Sequence, residues 1–141
     1  MKNILVLCTG NSCRSQMAHG FMEYYSGSNI HVYSAGIETH GLNKRAVSIM
    51  QEAGIDISKH TSNHVDEYAG ITFDHIITVC DHAHENCPYI PSEQAQRWHH
   101  NFSDPSKLDS KDEAKIHTAF ATTRDEIKAY CEAFVAQHQL D

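Results

Sequence analysis

Apolar runs and helical patterns alternate along the chain, and this alternation predicts strands connected by helices. The apolar run Asn3–Cys8 is typical of a strand that is buried on both faces, as in a parallel sheet. Three further strands are predicted at Ile30–Ala35, Phe73–Cys80 and Gln96–Phe102. Because alternating strands and helices need crossover connections, the pattern indicates an α/β domain with a parallel sheet.

Apolar positions at helical spacing predict the connecting helices. They recur over Cys13–Tyr25 and Asn43–Ala53, a short helix is predicted at Val65–Tyr68, and a long helix closes the chain at Asp112–Gln139. The sequence shows neither an internal repeat nor a linker, so one domain is predicted over residues 1–141. In such a sheet, ligands bind at the carboxyl ends of the strands.

Composition and charge narrow the possible functions. The 141 residues, 40% of them hydrophobic and 21% charged, fit one globular domain. The formal net charge of −7 disfavours a general binder of nucleic acid or of anionic membranes, so a bound anion needs a local binding device. The apolar stretch Ile4–Cys8 is too short for a membrane span or a signal peptide, and a cytoplasmic location is predicted.

The strongest chemical motif follows the first predicted strand, where Cys8, Arg14 and Ser15 form a C-x5-R-S pattern. Inward-facing amides at a helix N-terminus bind an anion there, and the guanidinium of Arg14 grips two oxygens of a tetrahedral oxyanion. The same surroundings favour the thiolate of Cys8, which makes it a nucleophile. The predicted oxyanion-binding residues are Thr9, Gly10, Asn11, Ser12, Cys13, Arg14 and Ser15.

Not every cysteine is expected to react. Five cysteines, an odd number, argue against a structural disulfide framework. The side chains of Cys13, in the first turn of a helix, and of Cys131, in the last helix, are predicted to pack as small apolar groups. For the C-x5-R motif itself, an ordinary strand-to-helix turn with a buried Cys8 is the alternative.

A proton donor is the next requirement of a reacting oxyanion, because the departing oxygen must be protonated. Asp104 lies in an Asp-Pro turn after the last predicted strand, which places it on the same edge of the sheet as Cys8. It is therefore the candidate general acid, and simple turn punctuation is the alternative.

A second cysteine pair, Cys80 and Cys87, begins where the third predicted strand ends. Three thiols on one edge of a sheet suggest a relay, in which one takes the oxyanion, a second displaces the product as a disulfide and a third moves that disulfide outward. The alternative is a zinc or copper site formed by Cys80, His82, His84 and Cys87, although their spacing is not that of common zinc motifs.

These motifs together resemble the thioredoxin-coupled arsenate reductases, which are built on the low-molecular-weight tyrosine phosphatase fold. The anion motif is shared with the phosphatases, whereas the Cys80/Cys87 pair and Ser34–Gly41 look like the reductase branch. The resemblance implies a single-domain, open parallel four-stranded sheet with helices on both faces. It runs through Cys8–Ala18, Tyr33–Gly41, His60–Ser62, Cys80, Cys87, Pro88 and Asp104-Pro105.

The resemblance also implies roles for the residues around the oxyanion. Cys8 attacks arsenate that is held by the loop amides and by Arg14, and Asp104 protonates the departing oxygen. Ser15 helps to lower the pKa of Cys8, and Asn11 shapes the loop. Phosphate or sulfate is expected to occupy the same site.

For the redox steps, the resemblance implies that Cys80 attacks Cys8, which releases arsenite and forms a Cys8–Cys80 disulfide. Cys87 then attacks Cys80, and thioredoxin reduces the resulting Cys80–Cys87 disulfide. The electrons come from thioredoxin, no bound cofactor is expected, and the protein is expected to act as a monomer in arsenical resistance.

The chain departs from the family at two positions near the loop. Some family members hold a potassium ion with carboxylates there, and this sequence has His19 and Asn63 instead. Neither residue is a carboxylate, so the sequence gives little support to a potassium site.

Two other functions stay open at this point. A low-molecular-weight tyrosine phosphatase needs Cys8, Arg14 and Asp104 but no further cysteine, and usually lines its cleft with aromatic rings, which Gly36–Gly41 and the two residues after Pro105 lack. The third possibility is a metal-binding or redox-sensing protein without turnover, which would act through Cys80, His82, His84 and Cys87.

Overall fold

Four parallel strands form one sheet in the computed structural model of the chain, which describes residues 2–81 and 95–141. The strands are β1 (Lys2–Cys8), β2 (Ile30–Gly36), β3 (His75–Thr78) and β4 (Gln96–His99), in the order β2-β1-β3-β4. The predicted parallel sheet is confirmed. The third and fourth strands are shorter than predicted, because β3 pairs with only four residues of β1 and β4 with only four of β3.

Within the described residues, the α-helices are α1 (Arg14–Tyr25), α2 (Lys44–Glu52) and α3 (Glu113–Gln137). The side chains of Asn43 and Asp112 cap α2 and α3, since each accepts hydrogen bonds from amides of the first turn. The helices therefore begin one residue later than the apolar pattern predicted. In the described ranges, no helix combines the length and the apolar character that a membrane crossing requires.

Strand β1 is buried on both faces, as its continuous apolar run predicted. Ile4 and Val6 pack in the cluster that includes the buried sides of α1, α2 and α3, whereas Leu5 and Leu7 belong to the cluster on the other face. A short 3-10 helix, Val65–Tyr68, contributes to that second cluster. Helical segments therefore cover both faces, as expected.

The sheet order determines where a ligand can bind. Strand β1 has β2 on one side and β3 on the other, so the chain reverses its direction of winding at β1. Cys8 is the last residue of β1, and Cys80 lies two residues beyond the end of β3. The structure thus brings the two cysteines to the same edge of adjacent strands.

Candidate active site

The loop between β1 and α1, residues 9–13, turns its carbonyl groups towards residues 38–43. The amide of Glu38 donates to the carbonyl of Thr9 at 2.9 Å, and the amide of Asn43 donates to that of Ser12 at 3.0 Å. The C=O and N–H groups of a trans peptide point in opposite directions. The amides that follow these carbonyls therefore lie on the opposite side of the loop, as an anion-binding nest requires.

Asn11 holds the loop in shape from inside. It is fully buried and has a φ of 47°, in the left-handed region that a non-glycine residue seldom adopts. Its Oδ1 accepts from the amide of Asn63 at 2.8 Å, its Nδ2 donates to Ser15 Oγ at 2.8 Å, and its carbonyl accepts from Gln16 Nε2 at 3.0 Å. The expected role of Asn11 thus has a structural basis, while the effect of Ser15 on Cys8 stays a prediction.

A glycine at the end of β2 allows the loop to approach the sheet this closely. A Cβ atom on Gly36 would lie 2.7 Å from the Thr9 carbonyl oxygen and 2.8 Å from the Asn11 amide nitrogen, closer than real Cβ contacts occur. A larger residue there would push the anion loop off the strand.

A cavity of about 160 Å³ opens on this loop. It is smaller than the roughly 300–1,000 Å³ of sites that take organic ligands. Among the described residues that line it, none is Phe, Tyr or Trp, and the imidazole of His40 is the one aromatic ring. The lining residues are Cys8, Thr9, Gly10, Ser12, Cys13, Arg14, His40, Asp104, Ser106 and Lys107.

Arg14 and Asp104 meet at this cavity, although 90 residues separate them. Arg14 is largely buried, and its Nη1 donates to the Phe102 carbonyl at 2.9 Å. Its Nη2 lies 3.5 Å from Asp104 Oδ2, while Asp104 Oδ1 accepts from the amide and the hydroxyl of Ser106. The guanidinium is therefore held in place at the cavity, with the candidate acid beside it.

The thiols of Cys8 and Cys80 are in contact, with 3.6 Å between the sulfur atoms. Both residues are buried, and Thr9 Oγ1 lies 3.3 Å from the Cys80 sulfur. The nucleophile that the anion motif predicts and the second thiol of the predicted relay thus stand side by side.

This contact changes the acidity of Cys8. The hydrogen bond to Cys80 and burial raise the pKa of Cys8 above its usual range, whereas the charge of Arg14 and the Thr9 amide lower it. The raising effects win, so the expected thiolate-favouring environment is wrong for this arrangement. The expectation from the sequence considered only the anion loop, and not the second thiol that the fold brings next to Cys8. Cys8 becomes a nucleophile most readily once its hydrogen bond to Cys80 is broken.

The other two described cysteines are buried, as expected. Cys131 is fully buried in α3, and burial raises the pKa of its thiol. Burial and the nearby carboxylate of Asp104 raise the pKa of Cys13 to about 12, so its thiol stays protonated although it lines the cavity. Cys87, His82 and His84 lie outside the described residues, and both the third thiol and the alternative metal site stay predictions.

The residues at the family's potassium position do not fit that ion. His19 Nδ1 lies 2.8 Å from Ser34 Oγ, and the side chain of Asn63 binds Thr61 and Glu67. Potassium is a hard cation that takes oxygen ligands, whereas His19 offers an imidazole nitrogen and the amide oxygen of Asn63 already accepts a hydrogen bond from Thr61 Oγ1.

Sequence reasoning missed several lining residues of the cavity. His40 lies against Gly10, where a Cβ would clash with its ring, and it hydrogen-bonds Glu38 at 2.7 Å. Ser106 and Lys107 line the cavity from the turn after Asp104. One signal was available: each of these residues follows a strand at the carboxyl edge of the sheet, where ligands bind.

Comparisons with known proteins agree with this geometry. The family described as low molecular weight phosphotyrosine protein phosphatase matches residues 3–141. The arsenate reductase of Halalkalibacterium halodurans is 49% identical over 126 residues, 89% of each chain. Arsenate reductase 1 of Staphylococcus epidermidis is 46% identical over 133 residues, 94% of this chain and 95% of the relative. A solved arsenate reductase in the oxidized state superimposes with a TM-score of 0.82 at 30% identity, covering 97% of this chain and 98% of the other.

Proposed function

The chain belongs to the low molecular weight phosphotyrosine protein phosphatase family, and within that family we propose that it reduces arsenate to arsenite. The observation that carries this proposal is the 3.6 Å contact between the sulfur atoms of Cys8 and Cys80 beside the anion loop. Hydrolysis of a phosphate ester needs one thiol, whereas reduction of an oxyanion needs a second thiol that forms a disulfide with the first.

In the first step, the thiolate of Cys8 attacks the arsenic atom of arsenate. The loop amides and Arg14 hold the oxyanion, because both present N–H donors to a tetrahedral anion. A sulfur–arsenic bond forms and one arsenic–oxygen bond breaks. Asp104, whose carboxyl group lies beside Arg14 at the cavity, protonates the departing oxygen so that it leaves as water.

In the second step, the thiolate of Cys80 attacks the sulfur of Cys8. A Cys8–Cys80 disulfide forms, the sulfur–arsenic bond breaks, and its electron pair stays on arsenic. Arsenic(V) is thereby reduced to arsenic(III) and leaves as arsenite, while two thiols have been oxidised to one disulfide.

In the third step, Cys87 attacks the sulfur of Cys80. The thiol of Cys8 is released, and the disulfide passes to Cys80 and Cys87. A dithiol reductant of the thioredoxin class then takes up this disulfide, becoming oxidised itself and returning both cysteines to thiols. We propose that the enzyme is cytoplasmic, since the cytoplasm supplies reduced thioredoxin. We also propose that it acts as a monomer.

Phosphatase activity is the second candidate function, because family membership and the anion loop favour it equally. Phosphate and arsenate share shape and charge, so the loop binds either. The small cavity and its lack of described Phe, Tyr or Trp residues argue for a small inorganic oxyanion over an aryl ester. We therefore expect weak hydrolysis of aryl phosphates beside arsenate reduction.

The test couples arsenate turnover to NADPH oxidation through thioredoxin and its reductase. Wild type is compared with Cys80→Ser, and with Cys131→Ala as a matched control that removes a buried thiol away from the site. Arsenate-dependent oxidation should occur in wild type and the control and be lost in Cys80→Ser, which keeps its aryl phosphatase activity. Full arsenate turnover by Cys80→Ser would overturn the relay. Aryl phosphate hydrolysis without any arsenate turnover in wild type would establish a phosphatase.

A further inference from the structure

Three side chains outside the arsenate cavity converge beside α1. His19 and Glu23 stand one helical turn apart on α1, and His60 reaches them from the segment between α2 and the 3-10 helix. One ligand atom of each residue lies within 4.8 Å of the other two. Two imidazole nitrogens and one carboxylate oxygen thus share a small space that the arsenate chemistry does not use.

The hydrogen bond between His60 and Gln16 determines which ring nitrogen of His60 carries a lone pair. Gln16 Nε2 donates to the carbonyls of Asn11 and Thr61, both at 3.0 Å, so its Oε1 is an acceptor. His60 Nδ1, 3.0 Å from that oxygen, must therefore donate. In the neutral ring the lone pair is then on Nε2, which lies 3.5 Å from Glu23 Oε1.

A lone pair that faces a carboxylate favours a cation between them. His19 Nε2 and His60 Nε2 lie 3.2 Å and 3.5 Å from the same carboxylate oxygen, Glu23 Oε1. The centroids of the two imidazole rings are 4.3 Å apart. A single metal ion placed among these groups would contact both imidazole nitrogens and the carboxylate oxygen.

We propose that His19, Glu23 and His60 bind one divalent transition-metal ion of the Zn²⁺ class. Imidazole nitrogen and carboxylate oxygen are ligands that Zn²⁺ prefers, and a tetrahedral site at its usual bond lengths sets them about 3.3 Å apart. Small side-chain movements close the observed cluster to that spacing. The side chain of Glu23 is 53% exposed, which leaves a fourth position open to water.

The surroundings of the cluster match those of protein metal ligands. Metal-bound histidines commonly hold their second ring nitrogen in a hydrogen bond that fixes the ring. Here Ser34 Oγ lies 2.8 Å from His19 Nδ1, and Gln16 Oε1 accepts from His60 Nδ1. Gln16 also bonds the carbonyl of Asn11, so a metal at this site ties α1 to the anion loop. Bound metal should therefore stabilise the fold.

The experiment titrates Co²⁺, followed by visible absorption, into full-length protein with Cys8→Ser, Cys80→Ser and Cys87→Ser. These three changes remove thiolates that would bind the metal elsewhere. One equivalent should bind and be displaced by Zn²⁺. Glu23→Gln and His60→Phe should each weaken binding at least 10-fold, because each removes a ligand. His117→Ala, which removes an exposed histidine paired with Glu52, should bind like the parent.

Thermal unfolding supplies a second readout that does not depend on absorption. Zn²⁺ should raise the Tm of the parent protein and of His117→Ala and leave that of Glu23→Gln unchanged. Absence of Co²⁺ binding by the parent, or equal affinity in the parent and both ligand variants, would overturn the proposal. Neither outcome bears on arsenate turnover, which is measured separately.

Discussion

The sulfur atoms of Cys8 and Cys80 lie 3.6 Å apart, although 72 residues separate the two cysteines in the sequence. They meet because β1 and β3 are neighbours in the sheet and run parallel, so their carboxyl ends share one edge. A disulfide needs about 2.05 Å between the sulfur atoms, so the pair can be joined by an approach of about 1.5 Å. The contact that supports the relay also controls the acidity of the nucleophile.

Removing the second thiol should lower the pKa of Cys8. In Cys80→Ala the raising hydrogen bond is gone, while the charge of Arg14 and the Thr9 amide still lower the pKa. We therefore expect the thiolate of Cys8 to form at lower pH than in wild type. The rate of alkylation by iodoacetamide as a function of pH, with the site of labelling located by mass spectrometry, measures this pKa. An unchanged profile would show that the sulfur contact does not govern Cys8.

Blocking the third thiol should stop the relay after one cycle. In Cys87→Ser, one equivalent of arsenate should yield one equivalent of arsenite and a protein that holds the Cys8–Cys80 disulfide. Peptide mapping without reductant identifies that bond, and Cys131→Ala serves as the control that completes many cycles. Sustained thioredoxin-dependent turnover by Cys87→Ser would show that thioredoxin reduces the first disulfide directly.

Replacement of Asn11 should separate its backbone role from its hydrogen bonds. Asn11→Ala loses two buried side-chain hydrogen bonds and keeps a Cβ at a φ of 47°, so we expect a loss of about 2–4 kcal/mol in the free energy of unfolding. Asn11→Gly loses the same bonds without the backbone strain and should be more stable than Asn11→Ala by about 1 kcal/mol. Urea unfolding measures both values, and equal stabilities would argue against strain at this position.

Asp104 should behave as a proton donor and not only as a partner of Arg14. Asp104→Asn keeps the shape of the side chain but cannot supply the proton, so kcat for arsenate should fall by roughly 10²–10⁴-fold. Ser106→Ala, which removes a hydroxyl that donates to Asp104, is the milder control. A small loss of kcat with a large rise in KM would assign Asp104 to positioning Arg14.

His75 should make the fold less stable below neutral pH. Its ring accepts a hydrogen bond from Trp98 Nε1, and burial, together with the charge of His138, lowers its pKa from the ordinary value of 6.5. Below pH 6.5 the unfolded chain binds this proton and the folded protein resists it. The free energy of unfolding should therefore fall from pH 6.5 down through the lower folded pKa, with no contribution above pH 6.5.

Urea unfolding across this pH range measures the effect. His75→Phe should flatten the pH dependence, although it also lowers stability at every pH because the indole N–H loses its acceptor. His117→Phe, at an exposed position of α3, should keep the wild-type slope. Equal slopes in wild type and His75→Phe would show that other groups cause the dependence.

Local signals in the sequence determined the strands, the helices and the anion loop. The apolar run that ends at Cys8 predicts a strand that is buried on both faces. Asn43 and Asp112 cap their helices through local hydrogen bonds, which do not depend on where those helices pack. The C-x5-R-S pattern supplies its own nucleophile, amides and guanidinium within eight consecutive positions, Cys8–Ser15. Such features depend on near neighbours, so a single sequence carries them.

Contacts between distant segments were decided only by the tertiary structure. The sheet order brings the thiol of Cys80 against Cys8, and this contact raises the pKa of Cys8, which Arg14 and the Thr9 amide alone would lower. The same folding places His40 over the anion loop and His60 beside Glu23. A pKa and a ligand set depend on the distances between groups in space, and spacing along the chain does not determine those distances.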